Sequence, residues 1–265
     1  MSLSPLAARY DHLLLDLDGC VWVGDEPTPE AVDAVAALRA AGKGVAFVTN
    51  DTQLAPEEYV RKLWRLGFQA SLEEVVTVGG ALQFVLAERF AGRAAVVIGS
   101  PALWSHVEAA GLRIVNRTAF ASRADVVVVA FHPEFHYAEL REATQAALRG
   151  AFLVGSNRDP TFPASDGLWP GSGAVIAAVE TACGRTVATV GKPEPMLLQT
   201  ALDRLGSGRA LMVGDRVDAD LGAAHNAGID GAIVLTGASD RATAEAAREP
   251  SPVAIAERLE TLVLA

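Results

Sequence analysis

Short apolar runs alternate along this chain with longer segments of helical period. That alternation predicts a parallel α/β sheet covered by helices. The strand-like runs lie at 12–17, 45–48, 75–78, 95–98, 126–130, 152–154, 210–213 and 232–235. Thr28-Pro29 reads as an N-cap and first helical residue ahead of Val32, Val35 and Leu38, and further helices are predicted over 56–66, 101–110 and 137–148. With 265 residues, 51% of them hydrophobic, the chain can bury a large core or two smaller ones. Its formal charge of −10 excludes a general nucleic-acid binder, which needs a basic face to displace counterions. No apolar run reaches the length of a membrane helix, and the first residues lack the layout of a signal peptide. A cytoplasmic protein without a membrane partner is therefore expected. Two cysteines, Cys20 and Cys183, make neither a disulfide framework nor a zinc cluster.

Ligands of open α/β sheets bind outside the carboxyl ends of the strands, so the polar groups there carry the chemistry. Four strand ends qualify: Asp16-Leu17-Asp18-Gly19, Thr49-Asn50-Asp51, Gly191-Lys192-Pro193, and Gly214-Asp215-Arg216 with Asp218 and Asp220. Asp16 and Asp18 stand two apart in an extended segment and can point to one side. So close a pair requires a cation or a proton between them, and it can divide nucleophilic attack from general acid catalysis. The same residues also suit a solvated turn. Thr49 and Asn50 could receive a phosphate oxygen or cap a helix. Lysine occurs at only three positions, Lys43, Lys62 and Lys192, among far more numerous arginines, so each lysine invites inspection. Lys192 could clamp a phosphate or lie solvated. Asp215, Asp218 and Asp220 are hard oxygen donors of the kind Mg²⁺ takes, or acids favoured by a helix dipole.

Taken together, 13–19, Val48-Thr49-Asn50, Gly191-Lys192-Pro193-Glu194-Pro195 and Val213-Gly214-Asp215-Arg216 resemble the four motifs of the haloacid dehalogenase superfamily. The closest likeness is to subfamily IIA, the branch of p-nitrophenyl, phosphoglycolate and sugar-phosphate phosphatases. Gly24-Asp25-Glu26-Pro27, Ser156-Asn157-Arg158-Asp159-Pro160 and Pro170-Gly171-Ser172-Gly173 carry the same likeness. The resemblance implies an α/β fold with a doubly wound, Rossmann-like core and an inserted α/β cap. It implies Asp16 as nucleophile, Asp18 as general acid and base, and Thr49, Asn50 and Lys192 as phosphate ligands. Mg²⁺ would be held by Asp16, the Asp18 carbonyl and Asp215, with Asp220 acting through water or as a support. Two departures stand out: Ala219 replaces a usual Thr, and Asp51-Thr52 replaces Asn-Ser.

Thr49 and Lys192 lie more than a hundred positions apart, whereas one βα unit needs only ~30 residues. An insert is therefore expected over 79–186, hinged near Gly79-Gly80 and Gly184-Arg185, with the core over 1–78 and 187–265. The resemblance makes this insert a cap that selects the leaving group and supplies contacts for a homodimer. Within it, the loop 156–166 offers Asn157, Arg158 and Asp159 as specificity residues. The expected reaction is Mg²⁺-dependent hydrolysis of a small phosphorylated metabolite through an aspartyl-phosphate. A phosphotransferase or mutase, and a phospho-aspartate signalling module, are the alternatives. Other features are expected to be structural: His132 and His136 in a loop, Cys20 as a small buried residue, Trp22 and Trp64 in the core, and 167–173 as no dinucleotide loop.

Overall fold

In the computed structural model, residues 2–164 and 167–265 are described; Ser165 and Asp166, at the end of the loop expected over 156–166, lie outside them. The chain divides into two units. One comprises the N-terminal residues up to Thr49, Pro56–Val76 and Lys192–Ala265; the other comprises Asn50–Ala55 and Thr77–Gly191.

The first unit is built on a six-stranded sheet in the order Ala254–Ala256, Asp230–Val234, Ala210–Gly214, His12–Asp16, Gly44–Thr49, Val75–Thr77. His12–Asp16 is central and buried along its whole length, as is Ala210–Gly214 beside it. Strands buried on both faces read as unbroken apolar runs, which explains Leu13-Leu14-Leu15 and Leu211-Met212-Val213. Both neighbours of the central strand run parallel to it, and the order grows outward on either side. The register pairs Leu15 with Val213 and Asp16 with Val48. Asp16, Thr49 and Asp215 therefore emerge at one edge of the sheet, at the switch point where α/β sheets bind ligands.

The second unit holds a five-stranded parallel sheet in the order Ala188–Thr189, Phe152–Gly155, Val126–Val129, Ala94–Ile98, Arg113–Ile114. A separate antiparallel hairpin joins Thr161–Ala164 to Gly167–Pro170. Val96, Ile98, Val127, Val129, Ile176 and Val179 are central to a core of this unit's own. Its boundaries lie outside the expected 79–186. Ala188–Thr189 pairs with Phe152–Gly155, which carries residues 187–191 into the second unit.

Local differences from the sequence reading have local causes. Gly79-Gly80, expected near a hinge, lies in the first turn of the helix Val78–Phe90, just after the division between the units at Val76 and Thr77; the N-cap Thr77 accepts a hydrogen bond from Gly80 N at 3.1 Å. A Cβ on Gly79 would lie 2.7 Å from the His106 ring, so glycine lets this helix approach Pro101–Ala109. The first long helix begins at Ala31, because the Thr28 hydroxyl donates to Cys20 O at 2.8 Å and is not a cap. Trp64 is 59% exposed on the helix Pro56–Arg65, where its indole N–H reaches Ala70 O. Trp22 is fully buried. Residues 167–170 do form a strand, where none was expected; it pairs antiparallel with Thr161–Ala164 and leads through Gly171 into the helix Ser172–Cys183. His136 caps the helix Tyr137–Leu148, and His132 Nε2 lies 3.1 Å from the buried Glu139 carboxylate.

Within the second unit, Glu180 accepts from the Arg158 guanidinium at 2.8 Å and from Val187 N at 2.8 Å. The Arg158 hydrogen bond holds the Glu180 carboxyl below its usual value of 4.5. A depressed carboxylate adds stability above its unfolded value and loses it as pH falls through the folded one. Glu180→Gln is therefore expected to lower the melting temperature at neutral pH by an amount equivalent to about 0.5 kcal/mol, discounted for the partly exposed arginine. The difference should shrink as pH falls below 4.5. A difference that stays constant with pH in thermal melts would contradict this role.

Candidate active site

Lys192 organises the edge of the first unit's sheet. Its ammonium is 2% exposed and donates to Asp16 Oδ1, to Asp220 Oδ1 at 2.7 Å and to Val48 O at 3.3 Å. Burial alone would depress this amine, but the carboxylates of Asp16 and Asp220 outweigh it and hold the ammonium above its ordinary value. Lys192 is thus a fixed positive charge.

Asp220 is equally buried, and its other oxygen accepts from the backbone N–H groups of Asp215 and Arg216 at 3.1 and 3.0 Å. Both its oxygens are engaged, so it pins Lys192 and the turn after Gly214. A Cβ on Gly214 would lie 2.2 Å from the Asp220 carboxyl, so only glycine fits there. Ala219 removes no part of this arrangement, since backbone donors hold Asp220.

Asp215 differs in one respect. One of its oxygens accepts from Ala238 N, but Oδ1 is buried with no hydrogen-bond partner among the described residues. Burial, then the Asp220 charge, push its carboxyl up to about 7. Burial likewise raises Asp16 well above the usual range, with Lys192 opposing. Asp16, Asp215 and Asp220 each offer an oxygen within 4.8 Å of the others. Three carboxyl groups share one ammonium in a buried place, so full ionisation of all three would need a further cation. Hard oxygen donors and an orphaned carboxylate oxygen, in a place where ionised carboxyls need a cation, together fit Mg²⁺.

Asp18 stands at the turn after the central strand, half-buried, with Oδ1 accepting from Trp22 Nε1 at 2.7 Å. Burial raises its carboxyl against that hydrogen bond and the charges of Lys62 and Lys192. Gly19 has φ +88, and a Cβ there would lie 2.5 Å from Asp215 Oδ2. The turn therefore needs glycine twice, for its backbone angle and for its close approach to Asp215. Thr49 is buried at the end of its strand. Cys20 is buried, and that burial raises its thiol far from the reactive thiolate.

The structure gathers Asp16, Asp18, Thr49, Lys192, Asp215 and Asp220 in the first unit, whereas Asn50 belongs to the second. There the Asn50 carbonyl accepts from Asn157 Nδ2 at 2.8 Å, and Asn50 Nδ2 donates to Asp159 at 3.2 Å. Asp159 N donates to Asn157 Oδ1 at 3.0 Å, and the Asp51 carboxylate accepts from Gln53 N. Asn157 is buried, and Arg158 is clamped to Glu180 and Val187 O. The polar ends of Asn157 and Arg158 are thus engaged by their own unit. The sequence reading missed the loop that seats Asp215. A Cβ on Gly237 would lie 2.0 Å from Asp215 Oδ2, and Ala238 N binds that carboxylate. Leu235-Thr236-Gly237 after a strand was the available signal, a further strand end carrying a glycine.

Residues 13–113 match the family described as haloacid dehalogenase-like hydrolase, and residues 189–262 match one described as HAD-hydrolase-like. The D-glycerol 3-phosphate phosphatase of Mycobacterium tuberculosis is 39% identical over 250 residues, covering 93% of this chain and 69% of that protein. Human chronophin is 35% identical, with 92% and 88% covered. A crystal structure of the Mycobacterium tuberculosis glycerol phosphate phosphatase with magnesium superposes with a TM-score of 0.88 at 38% identity, covering 98% of this chain and 78% of that one.

Asp215's raised value gives a measurable sign. A carboxyl raised on folding contributes its stability below the unfolded value, here 3.8, and loses it as pH climbs through about 7. In the presence of a chelator, Asp215→Asn should therefore gain stability relative to the wild type across that window, by on the order of 2 kcal/mol. Adding Mg²⁺ should stabilise the wild type, by ~2.7 kcal/mol at a hundredfold excess over Kd, and the variant far less. Parallel melting curves for the two proteins, with and without Mg²⁺, would contradict the assignment.

Proposed function

The chain belongs to the haloacid dehalogenase-like hydrolases, and from that premise we propose that it is a Mg²⁺-dependent phosphatase of small phosphomonoesters acting through Asp16. The observation that carries the reading is the buried set of Asp16, Lys192, Asp215 and Asp220. It provides a nucleophile, a fixed cation and an orphaned metal-type oxygen at one strand edge. Asp16 and Asp215 would hold Mg²⁺, which when bound would supply charge neutralisation for the transferred phosphoryl group. Lys192 contributes a second positive charge beside the Asp16 carboxylate, where two anions must meet. Thr49, buried at the adjacent strand end, is the side chain we assign to the phosphoryl oxygens.

In the first step an Asp16 oxygen attacks phosphorus, the ester P–O bond breaks, and Asp18 gives its proton to the leaving oxygen. In the second step Asp18 takes a proton from water, the water oxygen attacks phosphorus, and the bond to Asp16 breaks. Phosphate leaves, and both aspartates return to their starting forms. Asp18's raised carboxyl favours the protonated form that the first step needs. Relatives named for glycerol phosphate make alkyl phosphates the first class to screen. Within this reading the inserted unit selects the leaving group. Its segment 157–159 contributes mainly by shape, since Asn157 and Arg158 bind within their own unit.

Asp16→Asn should reduce kcat on p-nitrophenyl phosphate by ~10³-fold or more, as loss of a nucleophile does elsewhere. Full activity in that variant would sink the reading. Lys192→Arg should also fall steeply, because a planar guanidinium does not fit the buried place where a compact ammonium meets Asp16, Asp220 and Val48 O. Phosphate appearing on an added alcohol in place of water would instead favour a phosphotransferase.

A further inference from the structure

We propose that Trp22 is a positioning residue for Asp18: its indole N–H fixes one carboxyl oxygen of the acid, and Lys62 fixes the indole. This rests on the reading of Asp18 as general acid. Trp22 is fully buried, and a buried indole N–H has to find an acceptor. Its acceptor is Asp18 Oδ1, at 2.7 Å. The two residues sit at the ends of one tight turn. Val21 N and Trp22 N both donate to Leu17 O, at 2.9 and 3.1 Å, and Gly19 N donates to Trp22 O at 2.7 Å. The backbone therefore fixes where the ring starts.

A second contact holds the ring's face. Lys62 Nζ lies 4.4 Å from the centroid of the Trp22 ring and donates to Gly24 O at 2.8 Å. The Asp25 carboxylate is 3.7 Å from the same ammonium. Lys62 comes from the helix Pro56–Arg65, well removed in sequence from the turn it braces. Together these contacts leave the indole little room to rotate, and so little room for the N–H to leave Asp18.

The chemistry of the bond gives it a use beyond packing. A neutral carboxyl carries its proton on one oxygen, and the oxygen that accepts an N–H is the carbonyl one. With Oδ1 occupied by Trp22, the proton is confined to Oδ2. The same bond keeps the group in one rotamer after it has given the proton away. General acids contribute ~10²–10⁴-fold only when the proton is aimed at the leaving oxygen, and small misplacements forfeit much of that.

Leaving-group dependence tests this, because a merely structural role would not move it. The ratio of kcat/KM for phenyl phosphate and p-nitrophenyl phosphate reports how far the leaving oxygen needs a proton. Phenolate is the poorer leaving group, so phenyl phosphate depends more on the acid. Trp22→Phe keeps the ring and removes the N–H. It should lower kcat/KM for phenyl phosphate at least about 5-fold more than for p-nitrophenyl phosphate. Lys62→Met keeps the N–H and frees the ring, and should shift the same ratio by about 2-fold in the same direction. Equal losses on the two esters, or no loss on either, would overturn the proposal. Should Trp22→Phe melt before assay, an unchanged ratio in folded Lys62→Met would overturn it as well. A wild type inactive on both esters would count against the phosphatase reading itself. An active wild type with an unchanged ratio in Trp22→Phe would count against Trp22 alone.

Discussion

The buried ammonium of Lys192 is the interaction on which the site depends. Its hydrogen bonds reach Asp16 on the central strand, Asp220 in the turn after Ala210–Gly214, and the backbone of Gly44–Thr49. Three chain segments distant in sequence are thus held by one charge. Taking such charges out of water is expensive, and removing one partner from a buried pair costs about 3–5 kcal/mol, because the other is left uncompensated. The cluster is therefore poor as a source of stability and strong as a constraint. It gathers three carboxyl groups that a divalent cation would neutralise, and that cation with Lys192 would in turn attract a phosphate.

Around that constraint, the side chains fall into groups that act and groups that hold. In the proposed reaction Asp16 and Asp18 do the chemistry. Asp220 has no oxygen to spare, since two backbone amides and Lys192 engage it. Asp215 keeps one oxygen without a partner among the described residues, and that contrast makes Asp215 the proposed metal donor and Asp220 the support. Glycine enters only where atoms crowd: Gly19 and Gly237 against the Asp215 carboxylate, and Gly214 against Asp220. A methyl group at any of the three would displace a functional carboxylate.

Much of this was legible in the sequence, because buried parallel strands write themselves as apolar runs and their polar successors mark the ligand edge. Asp16, Asp18 and Asp215 follow such runs, though each also suits a solvated turn or helix start; Lys192 follows the short, partly exposed Ala188–Thr189 and is singled out by the scarcity of lysine and by the family resemblance. Other features were not legible. Gly79-Gly80 reads as a break, yet it opens a helix, since glycine there answers a packing demand from His106 that comes from another helix. Thr28-Pro29 looks like a cap, but the Thr28 hydroxyl is used across a loop by Cys20 O. Asn157 and Arg158 have the polarity of specificity residues, and only the structure shows their polar ends spent on Asn50, Glu180 and Val187. The scarcity of lysine was a fair guide. Lys192 holds the proposed nucleophile, Asp16, and Lys62 lies over the Trp22 ring that binds the proposed acid, Asp18.

The central claim is that Asp16 itself receives the phosphoryl group. Acid-quenched single turnovers with p-nitrophenyl phosphate, followed by peptide mass spectrometry, address it directly. The account predicts a phosphoryl adduct on the peptide containing Asp16, appearing with p-nitrophenolate release and decaying as phosphate appears. Phosphate release at the same rate as p-nitrophenolate, with no covalent adduct at any time and with oxygen delivered from water in a single step, would contradict it.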